Sequence, residues 1–188
     1  MIFNKTKLTF LPTRLAQWLA LTMIFLFHQS NQSILAEDSV LIKKQVVAGF
    51  TLQDQYDAAH EIKFPRERPL ILVVSDRKGS EGIAGWITPL ARQFRPELDF
   101  FGVADLSTVP KPLRAKIQGY FKKGLDYPVM LDWDGSVLKK FNYKKKEPNL
   151  FLINTRGEIV KSTFGVATEA ALKAWSKEIE FLLKRPVK

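Results

Sequence analysis

The stretch Ser75-Asp76-Arg77-Lys78-Gly79-Ser80-Glu81-Gly82 brings two hydroxyls, two carboxylates and two cations into one polar loop. A serine becomes a nucleophile only beside a base, and the sharp turn that exposes such a serine needs glycine two residues before it. Before Ser80 that position holds Lys78. Beyond the N-terminal segment there is one histidine, His60, and it lies in a different stretch. Hydrolysis by a Ser80–His60 pair is therefore not expected. Asp76 and Glu81 read as acids at the start of a helix, where they complement free N–H groups. The same helix start favours an anion, and Arg77 and Lys78 add positive charge, so residues 77–81 form a candidate anion-docking point.

The chain has no cysteine. That removes thiolate nucleophiles, disulfide exchange, thiolate metal sites and iron–sulfur clusters from its own chemistry. Met130 offers sulfur but reads as a core residue. With no cysteine, and one histidine beyond the N-terminal segment, oxygen ligands would have to make up nearly all of a metal site. Asp132 and Asp134 resemble the start of a calcium loop, yet Tyr143 stands where its bidentate glutamate belongs. Asp132-Trp133-Asp134-Gly135 is better explained as a turn. No metal, no cofactor and no catalytic residue are expected.

The elements that position this loop follow from periodicity. Val46 to Gln53 is extended, and His60 to Phe64 alternates and can pair with it. Leu70 to Val74 (LILVV) is apolar on both sides and reads as a buried central strand. Ile83, Trp86, Ile87, Leu90 and Phe94 fall at helical spacing, with Pro89 expected to kink that helix or start it. A strand over 98–104, a helix over 113–121, a strand over 128–131 and a short helix over 136–141 follow. Asn149 to Ile153 and Glu158 to Phe164 flank a four-residue turn, which predicts a hairpin. The last helix spans 168–183, with Leu172, Trp175, Ile179 and Leu182 on one face. Alternating strands and helices predict an α/β domain with a mixed sheet covered by helices on both faces. Trp86 and Trp175 read as core, and Trp133 as partly exposed.

The N-terminus reads as an address. Lys5, Lys7 and Arg14 precede the apolar Leu15 to Phe27, 13 residues long, and a small residue, Ala36. This is the pattern of a secretory signal, and about 20 apolar residues would be needed to span a bilayer. Residues 1–36 are expected to be a cleaved signal, or else an N-terminal membrane anchor, with residues 37–188 as one domain. The formal net charge is +10, and residues 37–188 keep 26 bases against 19 acids. A basic exported chain meets acidic envelope proteins, acidic polymers or anionic lipid rather than nucleic acid.

Several phrases, in order, resemble the thioredoxin fold, and within it the peroxiredoxin and exported thiol–disulfide oxidoreductase branch. They are Phe50-Thr51-Leu52-Gln53-Asp54-Gln55, Tyr127-Pro128-Val129-Met130-Leu131-Asp132 with Asp134-Gly135, and Glu147-Pro148-Asn149-Leu150-Phe151-Leu152-Ile153-Asn154 with Gly157-Glu158-Ile159-Val160. The resemblance covers residues 46–183. It implies a thioredoxin-like three-layer sandwich, a cis peptide before Pro148, and an active-site loop at 75–82. In that family the loop carries the reactive cysteine, and here no register supplies sulfur.

The resemblance therefore implies the scaffold without the redox chemistry, since both disulfide exchange and peroxide reduction pass through sulfur. The family groove beside the proline holds an extended partner segment partly through backbone hydrogen bonds, which needs no thiol. Lys144, Lys145 and Lys146 precede Pro148, and Arg77, Lys78, Gly79, Ser80 and Glu81 would meet them from the other side as a basic groove. The expected function is binding of an envelope protein or peptide, acidic in character, in the periplasm or another extracytoplasmic space. The alternatives are a non-thiol enzyme using the 76–82 loop and an envelope protein held at an anionic membrane.

Overall fold

The computed structural model describes residues 45–184. The expected signal or anchor, residues 1–36, lies outside the described residues, as does the start of the 37–188 domain.

Strand β3 (Leu70–Ser75) is buried along its whole length. A strand flanked by neighbours and covered on both faces needs apolar side chains at every position, which is what LILVV supplies. Around it lie β4 (Asp99–Asp105), β5 (Met130–Asp132), β6 (Asn149–Ile153) and β7 (Ile159–Phe164), in the order β5-β4-β3-β6-β7. The pairs β3–β4 and β4–β5 are parallel, and β3–β6 and β6–β7 antiparallel. A separate hairpin joins β1 (Phe50–Gln53) to β2 (Ala59–Ile62).

Alternation along β3 sends its side chains into two cores. Ile71 and Val73 pack with Leu150 and Leu152 against α1 (Ile83–Phe94) and α3 (Glu169–Lys184), where Trp86 and Trp175 meet edge-on at 5.8 Å. Leu70, Leu72 and Val74 pack with Phe151 and Ile153 against the β1–β2 hairpin residues Phe50 and Ile62 and against Val137, Leu138 and Phe141. That second face is thus closed by a hairpin and a 3-10 turn at Leu138–Lys140, a shorter element than the helix expected over 136–141. A third cluster seats Ile117 and Phe121 of α2 (Arg114–Gly124) on Ala104 and Leu131.

Pro89 neither starts nor ends α1, which runs from Ile83 through it to Phe94. Proline inside a helix costs about 3 kcal/mol, and burying a large apolar side chain returns about 1.5–3 kcal/mol. Trp86, Leu90 and Phe94, all buried on the same side, outweigh the lost bond. Turn chemistry accounts for two other expectations. The buried Asp132 carboxylate accepts from the Ser136, Val137 and Leu138 N–H groups, capping the 3-10 turn. Asn154 Oδ1 accepts from Arg156 and Glu158 N–H in the β6–β7 turn. Among the described residues no helix is long and apolar enough to cross a membrane.

Candidate functional site

The loop after β3 and the loop before β6 meet. Asp76 stands just past the end of β3, and both its carboxylate oxygens are engaged. Oδ1 accepts from Gly79 N–H and Oδ2 from Lys146 N–H, each at 2.8 Å. The first bond leads into the 3-10 turn over Gly79–Gly82, and the second ties in the distant loop. Lys146 adopts a left-handed backbone, φ 67°, which turns its N–H toward Asp76. Asn149, buried at the start of β6, holds the same loop from the other side: its amide accepts from Lys144 N–H and donates to the Lys144 and Glu147 carbonyls.

Contact between the loops is tight. A Cβ on Gly79 would lie 2.4 Å from the Glu147 carbonyl oxygen, so only glycine admits this approach. A Cβ on Gly82 would lie 3.1 Å from Pro148 Cγ and 3.4 Å from Val166 Cγ1. Pro148 is buried, its carbonyl accepts from Gly165 N–H at 3.0 Å, and the Gly165 carbonyl accepts from the Trp86 indole at 2.8 Å. Residues 79–82, 146–148 and 164–166 therefore form one continuous face.

Burial alone would push the Asp76 carboxyl up. The hydrogen bonds from Gly79 and Lys146, with Tyr143 and Lys78 behind them, outweigh it and hold the group below its ordinary value. Tyr143 is the counterpart. Its hydroxyl is buried beside Asp76, outside strict hydrogen-bond geometry. Burial and the charges of Asp76 and Asp105 push it well above the ordinary tyrosine value.

Charge on this face differs from the expected basic groove. Lys78 pairs with Glu81 at 2.5 Å, and Lys144 with Glu147 at 3.0 Å, because three residues of separation place each pair side by side. Lys144 also lies 4.1 Å over the Phe164 ring. Arg77, Lys145 and Lys146 are exposed and carry no ion pair among the described residues. Phe164 and Val166 are 55% and 72% exposed, and their contacts with Lys144 and Gly82 place them beside the two loops that carry these cations.

The expected proline geometry is corrected. The cis peptide among the described residues is Phe64–Pro65, and the bond before Pro148 is trans. The chain reversal there is made by the left-handed backbone of Lys146. His60 Nε2 lies 2.7 Å from the buried Asp54 carboxylate, on the β1–β2 hairpin. The Ser80 hydroxyl donates to the Arg77 carbonyl at 2.8 Å. Neither has the other as a partner, so the geometry assembles no nucleophile–base pair. Among the described residues no three His, Cys, Asp or Glu side chains are grouped to hold a metal.

Sequence reasoning missed Asn149, Tyr143, Phe164 and Val166, and read Asp76 as a local cap only. The cap was legible from an acid three residues before a glycine. The bond to Lys146 crosses seventy positions and leaves no local signal.

The chain matches no family model. Sporulation thiol-disulfide oxidoreductase A of Bacillus subtilis is 37% identical over 54 residues, covering 29% of this chain and 32% of that protein. The match thus spans about a third of the relative's length. Among solved structures, the pneumococcal exposed lipoprotein thioredoxin from Streptococcus pneumoniae superposes with TM-score 0.55 at 21% identity, over 70% of this chain and 99% of that one. StoA from Bacillus subtilis gives 0.53 at 20%, over 70% and 98%. Peroxidoxin BcpB from Mycobacterium tuberculosis gives 0.53 at 19%, over 76% and 97%. The chain has the thioredoxin fold, and it has no cysteine with which to carry out the redox chemistry that such names describe.

Proposed function

We propose that this chain is an exported thioredoxin-fold protein that performs no thiol redox chemistry and binds an extended, acidic segment of a partner protein at the face built by residues 76–82 and 144–148. The observation that carries the reading is the clasp at Asp76. It fixes two loops edge to edge and leaves Arg77, Lys145 and Lys146 unpaired beside exposed Phe164 and Val166. A rigid apolar strip rimmed by free cations suits a segment that alternates apolar and acidic side chains.

Catalysis finds less support on the same face. Ser80 has no base, Glu81 is neutralised by Lys78, and Asp76 is a hydrogen-bond acceptor held ionised. An ionised carboxylate with both oxygens occupied is poorly placed to take a proton. Export, to the periplasm or another extracytoplasmic space, is supported by the basic and apolar N-terminus and by the description of one structural neighbour as an exposed lipoprotein.

The test is site-specific photo-crosslinking in the intact envelope, with the crosslinker at Ser80 and, as a control, at Lys177 on α3. The reading expects one protein captured from Ser80 and not from Lys177, with capture weakened by Lys145→Glu and Lys146→Glu. Equal capture from both positions, or none from Ser80, would overturn it.

A further inference from the structure

We propose that the outward face of α2 is a second interaction surface, which docks on anionic lipid headgroups. From Leu106 to Leu125 the chain carries Lys111, Arg114, Lys116, Lys122 and Lys123 and no acid. Two of these cations are engaged. Arg114 pairs with Asp134 at 3.0 Å and lies over the Trp133 ring, and Lys122 reaches Asp57 at 3.6 Å. Lys111, Lys116 and Lys123 are exposed without an anion among the described residues.

Helical geometry decides which of these residues share a surface. Ile117 and Phe121 face the core. Leu113, Lys116, Tyr120 and Lys123 follow at three- and four-residue steps, the spacing of one stripe along a helix. Leu113 is 48% and Tyr120 57% exposed, and Lys116 stands 6.0 Å over the Tyr120 ring. Acids that contact α2 are off the stripe: Asp134 is held by Arg114, and Asp57 by Lys122 and Gln118. Along α3, by contrast, the bases Lys173, Lys177 and Lys184 are interspersed with the acids Glu169, Glu178 and Glu180.

A convex helix face has no groove to read a peptide's shape. The stripe offers Lys116 and Lys123 with an aliphatic and a tyrosine side chain beside them, and Lys111 stands in the 3-10 turn that leads into the helix. A bilayer surface matches that arrangement: tyrosine sits at headgroup depth, lysine stems lie along apolar surface with the charge in water, and each lysine near an anionic leaflet is worth about a fivefold gain in partitioning. This surface is distinct from the 76–82 and 144–148 face, so either reading can fail without the other.

The experiment is vesicle co-sedimentation of the full chain. One set of vesicles is phosphatidylcholine, and the other is phosphatidylcholine mixed with phosphatidylglycerol. The N-terminus, with Lys5, Lys7 and Arg14, is common to every variant, so comparing variants isolates the contribution of α2. The expected result is at least about a tenfold preference for the anionic vesicles, lost at high salt. Lys111→Glu, Lys116→Glu and Lys123→Glu together should abolish the preference. Lys173→Glu, Lys177→Glu and Lys184→Glu on α3, an identical change in net charge, should leave it. Should the reversed α2 variant melt early, the Lys→Gln version serves in its place. Equal partition on both vesicle types, a preference surviving the α2 changes, or equal loss in both variants would overturn the proposal. So would full competition by soluble polyglutamate, which would assign the face to acidic polymers instead.

Discussion

The Asp76 carboxylate accepts the Lys146 backbone N–H at 2.8 Å, and this bond joins two loops that the chain places far apart. Asp76 is thereby a positioning residue for the proposed binding face. Asp76→Ala removes the acceptor for both Gly79 and Lys146. It is expected to cost about 1–3 kcal/mol, the range for unpaired groups that had bonded to a charge, read as a lower urea midpoint. Amide exchange at Lys146 should accelerate as well. Unchanged exchange there would show that the loop is held by Asn149 alone.

Acid stability follows from the same carboxylate. Asp76 and Asp54 both lie below their ordinary value of 3.8 in the folded chain. For Asp54, burial works against ionisation, and pairing with His60 and N–H bonds from Tyr56 and Ala58 outweigh it. A depressed carboxyl adds stability that is complete above its unfolded value and lost as pH falls through the folded one. The urea midpoint of the native chain should therefore hold steady down to about pH 5 and drop below about pH 4. Asp76→Asn should start lower and drop less steeply. Parallel curves for the two proteins would rule out a folded-state shift at Asp76.

Glycine substitutions separate close approach from helix propensity. Gly79→Ala drives a methyl into the Glu147 carbonyl and should destabilise by about 1–3 kcal/mol. Gly119→Ala, inside α2 with nothing within 4 Å of the added Cβ, should stabilise by about 0.5–1 kcal/mol. Thermal melts of the two variants should move in opposite directions.

Lys146 has two separable roles, a left-handed backbone and a free charge. Lys146→Gly keeps and relaxes the backbone, so stability should be retained or slightly raised. Binding of an acidic partner segment should fall several-fold at low salt and converge with the native chain at high salt. A salt-independent loss would point to a backbone or apolar contact instead.

Local pattern alone determined a good deal about this protein. The buried run Leu70 to Val74, the helical stripes of α1 and α3 and the β6–β7 hairpin are short-range consequences of side-chain periodicity, and the structure contains all of them. The absence of cysteine is likewise a property of composition, and it decides against thiol chemistry whatever the fold. Proximity was decided only by the tertiary structure. Asp76 and Lys146, Gly79 and Glu147, and Val166 and Gly82 meet because β3 and β6 are neighbours in the sheet, a pairing that periodicity does not encode. Charge state was decided there too. Lys78 and Lys144 look as basic in sequence as Lys145, and only the folded loops show that the first two are neutralised by Glu81 and Glu147. Long-range hydrogen bonds and ion pairs depend on distances through space, and a chain read in order carries periodicities but not those distances.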